Sequence, residues 1–396
     1  MSLASFKAAS AGPAPSSTDP IKVMVVDDAV VVRGLVGRWI SEETDMKLVA
    51  SHRSGREAVA DIAKVNPDVV ILDIEMPDMD GITALPLIIQ AKRDVMVLMA
   101  STLTRRNAEI SLKCLSLGAA DYVPKPETNA GVTTSPAFKR EILDKVRALG
   151  RRRKISGRAF RAASPAGSPA AAAAPRVSSP SIAPQSVGFN DTGFKLRPMG
   201  TTIPKVLLIG SSTGGPQALT TVLKALGSFI DRVPVLITQH MPPTFTTILA
   251  EHAAKAAGRP AAEGRDGEPI QAGRIYVAPG GKHMVVRKTG GTNVIHLEDG
   301  PPINFCKPAV DPLFTSATQA WGAQTFGCVL TGMGHDGAHG AGDIVAAGGS
   351  VIAQDEATSV VWGMPGAVAQ AGHACAVLPI DQIAPKIMRV FSGDRS

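Results

Sequence analysis

Short apolar runs alternate with amphipathic stretches along two separate parts of the chain. In the first, from Lys22 to about Arg152, the alternation is the one that builds a parallel sheet covered by helices on both faces. Strands are predicted at Lys22 to Val26, Lys47 to Ser51, Asp68 to Leu72, Val95 to Ala100 and Asp121 to Val123, with helices between them and a last helix near Phe138 to Arg151. Five such units give a doubly wound, five-stranded parallel sheet. In the second part, from Lys205 to about Val390, a strand at Val206 to Ile209, a helix at Pro216 to Leu226 and a strand at Val233 to Thr238 restart the pattern. Further strands are expected at Ile275 to Ala278, His283 to Arg287, Val294 to Leu297, Thr325 to Leu330 and Ser350 to Gln354, with a closing helix near Ile383 to Phe391. The expected fold class is α/β, with a doubly wound N-terminal domain, a linker and a doubly wound C-terminal domain. No internal repeat is visible.

Composition sharpens these boundaries. From Ser156 to about Ile203 the chain turns to Ser, Pro, Gly and Ala, including a run from Ser164 to Pro175, with too few large apolar side chains to repay ordering. Residues 1–20 read as a disordered tail, 21–154 as the first domain, 155–203 as the linker and 204–391 as the second domain. A flexible linker of roughly 45 residues spans some 35 to 40 Å, so the domains are tethered but not fixed. The net charge of +7 suggests nucleic acid until it is located: between Gly150 and Pro198 nine basic residues face the single acid Asp191, so the excess lies in and beside the linker and the rest of the chain is near neutral. Nucleic-acid binding is therefore not expected. With no apolar run of about 18 residues, neither secretion nor membrane insertion is expected either. Cys114, Cys306, Cys328 and Cys375 form no CxxC pair and read as core thiols of a reducing cytoplasm.

Two sets of residues carry chemistry. Asp27 and Asp28 follow the first strand and Asp73 the third, at the sheet edge where doubly wound folds bind ligands. Three clustered carboxylates repel unless a hard cation joins them, and oxygen donors favour Mg²⁺. Asp73 can then act as a nucleophile toward a phosphoryl group, with Lys125 at the end of the fifth strand neutralising the transferred charge.

In the second domain Gly210 to Gly214 reads G-x-S-x-G between a strand and a helix that can begin at Pro216. Such a turn either exposes Ser212 as a nucleophile or cradles a phosphate, and the motif alone does not separate the two. His240 and Asp336 follow two other strands, which allows Ser212 to attack, His240 to carry the proton and Asp336 to orient the imidazole. Ser211 is a rival nucleophile, and His283 and His335 are rival bases. His252, His296 and His339 read as ordinary surface or loop residues, and Trp321 and Trp362 as packing anchors. The order Ser, His, Asp differs from that of α/β-hydrolases and disfavours them.

The segments Val25-Val-Asp-Asp28, Leu72-Asp-Ile-Glu-Met-Pro-Asp-Met-Asp-Gly81, Met99-Ala-Ser-Thr102 and Asp121-Tyr-Val-Pro-Lys-Pro126 resemble the response-regulator receiver family over residues 21–145. That resemblance implies phosphorylation of Asp73, Mg²⁺ held by Asp27, Asp28, Asp73 and the backbone carbonyl of Glu75, and a switch made of Ser101, Tyr122 and Lys125. Ile209-Gly-Ser-Ser-Thr-Gly-Gly-Pro216, Thr238-Gln-His-Met-Pro242, Val277-Ala-Pro-Gly-Gly-Lys-His-Met284 and Leu330-Thr-Gly-Met-Gly-His-Asp-Gly-Ala338 resemble the catalytic domain of the chemotaxis protein-glutamate methylesterase family, CheB. Lys282 stands where an acidic residue is the family's expectation.

The second resemblance implies catalysis by Ser212, His240 and Asp336, with an oxyanion hole from backbone N–H groups around Thr213 and Met333 and no cofactor for ester hydrolysis. It further implies demethylation of glutamate 5-O-methyl esters, and deamidation of selected glutamines, on methyl-accepting chemotaxis receptors. A chemotaxis histidine kinase is the implied phosphodonor, and the implied location is cytoplasmic, at receptor arrays. A phospho-regulated, non-catalytic output module is the alternative.

Overall fold

The computed structural model describes residues 19–126, 135–162 and 193–394. Residues 1–18 of the expected tail and 163–192 of the expected linker lie outside them.

In the N-terminal domain β1 (Ile21–Val26), β2 (Met46–His52), β3 (Val69–Asp73), β4 (Met96–Thr102) and β5 (Asp121–Lys125) form one parallel sheet in the order β2-β1-β3-β4-β5. The period of two along β1 explains its burial on both sides: Met24 and Val26 face one apolar cluster with Val70 and Leu72, while Val23 and Val25 face the other with Val69 and Ile71. The covering helices are α1 (Val30–Glu42), α2 (Gly55–Val65), α3 (Gly81–Ala91), α4 (Arg105–Ser116) and α5 (Pro136–Ala162). Three begin with a side chain that accepts from a first-turn N–H: Ser54 on α2, Asp80 on α3 and Thr104 on α4.

The C-terminal domain carries a seven-stranded sheet ordered β14-β13-β12-β6-β7-β9-β8, with every registered pair parallel. Its strands are β6 (Val206–Ser211), β7 (Val235–Gln239), β8 (Ala261–Glu263), β9 (Ile275–Val277), β12 (Thr325–Val329), β13 (Ser350–Gln354) and β14 (Ala376–Leu378). Helices α6 (Gly215–Leu226), α7 (Phe245–Ala257), α8 (Val310–Trp321), α9 (Ala338–Ala346), α10 (Met364–Gln370) and α11 (Ile380–Phe391) cover it.

The expected strands at His283 and Val294 are present as β10 (His283–Thr289) and β11 (Thr292–Glu298), paired antiparallel in a two-stranded sheet apart from the seven-stranded one. Two expectations differ from what is found. Helix α5 runs on to Ala162, past residue 154, because Arg151 to Lys154 are good helix formers with nothing to stop them. Residues 193–203, counted with the linker, lie along the second domain: Arg197 N donates to Ala374 O and Gly200 N to Ser350 Oγ.

Strand order fixes where the chemistry sits. From β1 the chain leaves to β2 on one side and returns to β3 on the other. From β6 it goes to β7 on one side and later to β12 on the other. Those two reversals are the crevices where doubly wound sheets bind ligands.

The domains touch along α4 and β5 of the first and α6 and α7 of the second. Tyr122 stacks on Phe245 with centroids 4.5 Å apart and planes 5° from parallel. Gln217 Nε2 donates to Ala119 O at 2.9 Å and Leu115 O at 3.3 Å, and Arg105 pairs with Glu251 at 2.8 Å.

Candidate active sites

At the first crevice Asp27, Asp28 and Asp73 each offer an oxygen within 4.8 Å of the others. Lys125 Nζ lies 2.7 Å from Asp73 Oδ1 and 3.1 Å from Asp27 Oδ2. Burial raises Asp27 above the usual carboxylate range and pushes Asp73 up to about 6, against the pull of Lys125. Burial would discharge Lys125, but the two carboxylates outweigh it and raise its pKa. One lysine facing three carboxylates leaves the cluster short of positive charge, and all-oxygen donors at this spacing fit a Mg²⁺ ion. Glu75 lies in the bend just after Asp73. The Ser101 hydroxyl is buried and shares a 2.8 Å hydrogen bond with Ser111, and Tyr122 is buried against Phe245.

At the second crevice β6 delivers Ser212, β7 delivers His240, and the loop after β12 delivers Asp336. The turn after Ser212 needs glycine twice. Gly214 has φ 75°, and a Cβ on Gly215 would lie 1.9 Å from Gln239 Oε1. Gln239, the last residue of β7, ties two of the three strands together: it accepts from Ser211 Oγ at 2.6 Å and donates to Ser212 O at 2.9 Å and His240 O at 3.3 Å.

His240 Nε2 lies 2.7 Å from Asp336 Oδ2. The Asp336 carboxylate is buried and also accepts from Val310 N at 2.6 Å, Asp311 N at 3.1 Å and Gly337 N at 3.0 Å. Val310 and Asp311 open α8, so the anion sits on the positive end of a helix. Burial would raise Asp336, but His240 and these donors hold it below the usual carboxylate range. Burial would also strip the proton from His240, yet its bonds to Asp336 and to Cys306 outweigh that and push the imidazole up to about 10.

The rivals are tied up elsewhere. Ser211 is fully buried with its hydroxyl bonded to Gln239. His283 is buried between Pro301 O and Ala309 N. His335 is exposed, four residues beyond the end of the β12 loop's buried Thr331. Among the described residues no protein acceptor is recorded for the backbone N–H of Thr213 or Met333. Ser212 Oγ likewise has no recorded hydrogen bond to His240.

Two features went unseen in the sequence. Gln239 is signalled only by its place at a strand end beside His240. Cys306 reads in the sequence as a core thiol, yet it is partly exposed with its Sγ 3.2 Å from His240 Nδ1. Cys375 is also partly exposed, and only Cys114 and Cys328 are buried.

Comparison with known proteins identifies both domains. The CheB methylesterase family profile matches residues 207–387, and the response regulator receiver domain profile residues 23–135. The chain is 59% identical over 381 residues, 96% of each chain, to a protein-glutamate methylesterase/protein-glutamine glutaminase of Rhodopseudomonas palustris. It is 58% identical to one of Bradyrhizobium diazoefficiens, over 95% of this chain and 96% of that protein. Among solved structures, the CheB methylesterase catalytic domain of Thermotoga maritima is 37% identical over 48% of this chain and all of its own, with a TM-score of 0.46. The chain belongs to the CheB methylesterase family, with a response-regulator receiver domain ahead of its catalytic domain.

Proposed function

We propose that the chain demethylates glutamate 5-O-methyl esters on methyl-accepting chemotaxis receptors through Ser212, His240 and Asp336, under the control of phosphorylation at Asp73. The observation that carries this reading is the 2.7 Å pairing of His240 with a buried, fully bonded Asp336 at the crevice where β6 presents Ser212. Asp336 holds the ring, and the other ring nitrogen serves Ser212. Ser212 Oγ attacks the ester carbonyl as His240 takes its proton, and the oxyanion meets the N–H groups of Thr213 and Met333. His240 returns the proton to the departing methoxide, methanol leaves, and water repeats the sequence on acyl-Ser212. Loss of ammonia in place of methanol deamidates glutamine by the same steps. No metal enters this chemistry.

The reading divides the chain into a tail at 1–20, a receiver from 21 whose last helix runs to 162, a tether after it, and a catalytic domain at 204–391 against which residues 193–203 are bonded. In the receiver, Asp27, Asp28, Asp73 and the Glu75 carbonyl would hold Mg²⁺, which neutralises charge on the phosphoryl group being transferred. Asp73 accepts that group from a chemotaxis histidine kinase, and Lys125 pairs with it. Ser101, now bonded to Ser111, and Tyr122, now stacked on Phe245, change partners when Asp73 is phosphorylated. Because Phe245 opens the helix that follows the His240 loop, the receiver in this arrangement inhibits by occlusion, and phosphorylation shifts the population toward open enzyme. No helix among the described residues is long and apolar enough to cross a membrane. The place of action is the cytoplasm, at receptor arrays.

Methanol release from methylated receptor membranes tests the reading. Release that depends on Ser212 and rises with a phosphodonor is expected. No release above buffer from the phosphorylated chain would favour a non-catalytic output module.

A further inference from the structure

Cys306 stands apart from the other three thiols. Cys114 and Cys328 are buried, and burial raises both, Cys114 to about 12. Cys375 is partly exposed, with its Sγ 3.5 Å from the carbonyl of Pro198 and no hydrogen bond to a histidine recorded among the described residues. Cys306 is partly exposed at the end of a tight turn in which Ile303 and Cys306 exchange backbone hydrogen bonds and Asn304 and Phe305 take left-handed φ of 50° and 64°. Its Sγ lies 3.2 Å from His240 Nδ1, while His240 Nε2 lies 2.7 Å from Asp336. Thiol, imidazole and carboxylate thus form an unbroken chain, a second nucleophile, base and acid set that shares two members with the Ser212 set. An imidazole has two ring nitrogens. With Nε2 committed to Asp336, Nδ1 is the one left for a nucleophile, and here it is given to the sulfur.

Ester hydrolysis by Ser212 leaves this thiol without a task. We propose that Cys306 is a peroxide-reactive modification site whose oxidation switches the esterase off. The inference rests on the assignment of His240 and Asp336 to catalysis. The imidazole, with Nδ1 3.2 Å from the sulfur and Nε2 held by Asp336, is placed to take the thiol proton as the sulfur attacks. The sulfur attacks one oxygen of hydrogen peroxide, the S–O bond forms as the O–O bond breaks, and the departing hydroxide takes the His240 proton and leaves as water. Sulfur gives up two electrons, the peroxide accepts them, and Cys306 becomes a sulfenic acid. The oxidised group stays beside Nδ1 and keeps the base from Ser212. A small thiol reductant restores the cysteine through a mixed disulfide.

The test treats the full-length protein with hydrogen peroxide, traps sulfenic acid with dimedone, maps the adduct by mass spectrometry and follows methanol release from methylated receptor membranes. The expected result is an adduct on Cys306 well above that on Cys375, at least about a tenfold loss of release, and recovery with dithiothreitol. Cys306→Ala and Cys306→Ser should each keep their own untreated rate within about twofold. Absence of the Cys306 adduct in the wild type, or inactivation of both variants as fast as the wild type, overturns the proposal. Adduct formation needs no esterase, so Ser212→Ala should still be labelled at Cys306. Wild-type methanol release by Ser212→Ala would sink the triad reading instead, and with a different readout.

Discussion

Replacing Gln217 with alanine loosens the receiver from the catalytic domain without removing a group that meets substrate. Gln217 lies in the first turn of α6, and its Nε2 reaches two carbonyls, Leu115 O in the last turn of α4 and Ala119 O just before β5. Each bond contributes about 1 kcal/mol net, and the buried, partnerless Oε1 of the same amide costs back about 1 kcal/mol. The remaining 1 kcal/mol or so is about a fivefold change in the closed-to-open ratio. Methanol release by the unphosphorylated full-length chain should therefore rise by up to about fivefold. The same substitution in a fragment starting near Thr201 should change nothing, and that fragment should already outpace the unphosphorylated full chain and ignore phosphodonor. Arg105→Ala is the contrast. Its pair with Glu251 is 60% and 53% exposed, so its loss should move the rate by less than about twofold. An unchanged rate for Gln217→Ala in the full chain, or an equal change in the fragment, would refute the interface argument. A fragment no faster than the full chain would refute occlusion itself.

Ser212→Ala should keep the fold, since no recorded hydrogen bond depends on its hydroxyl, and lose at least about 10³-fold in methanol release. Wild-type release would remove Ser212 from the chemistry. Asp73→Ala should abolish labelling by acetyl phosphate, as should EDTA on the wild type, while basal esterase activity survives both; undiminished labelling would place the phosphoacceptor elsewhere. Asp73→Asn should raise the receiver's melting point in metal-free buffer at pH 8. The folded carboxyl holds its proton to about 6 against an ordinary 3.8, so the folded state binds more protons in that window and stability falls as pH rises through it. The gain is bounded by about 3 kcal/mol, vanishes below about pH 4, and shrinks when Mg²⁺ stabilises the wild type. A melting point unaffected by pH between 4 and 8 would contradict it.

The two doubly wound sheets are legible because β1, β3, β4, β6, β7 and β12 are largely apolar on both faces and run five to seven residues between clear helical stretches. Strands β8 and β14 are not, since three residues are too few to show a period. The hairpin β10–β11 reads as strand but not as non-sheet, because its tip, Gly290 and Gly291, signals a turn without saying which sheet the strands join. Ser212, His240, Asp336 and the three aspartates are legible as candidates because each follows a strand in a recognisable loop. Gln239 and Cys306 were not. Their importance comes from contacts across 27 residues to Ser212 and 66 residues to His240, which no local pattern carries. The Tyr122 to Phe245 stack is hidden for the same reason.

The seating of Asp336 bears on how this protein can fail. Its two oxygens receive three backbone N–H groups as well as the His240 ring, so every approach to the carboxylate is a donor. An asparagine there has one oxygen to offer and must turn its NH₂ toward at least one of those N–H groups, deep inside the fold. Asp336→Asn, the most conservative exchange by shape, would thus disturb the start of α8 and the loop after β12 as well as the imidazole. Losses at this position should be found in the insoluble or degraded fraction, whereas losses at Ser212 should accumulate as intact, silent protein.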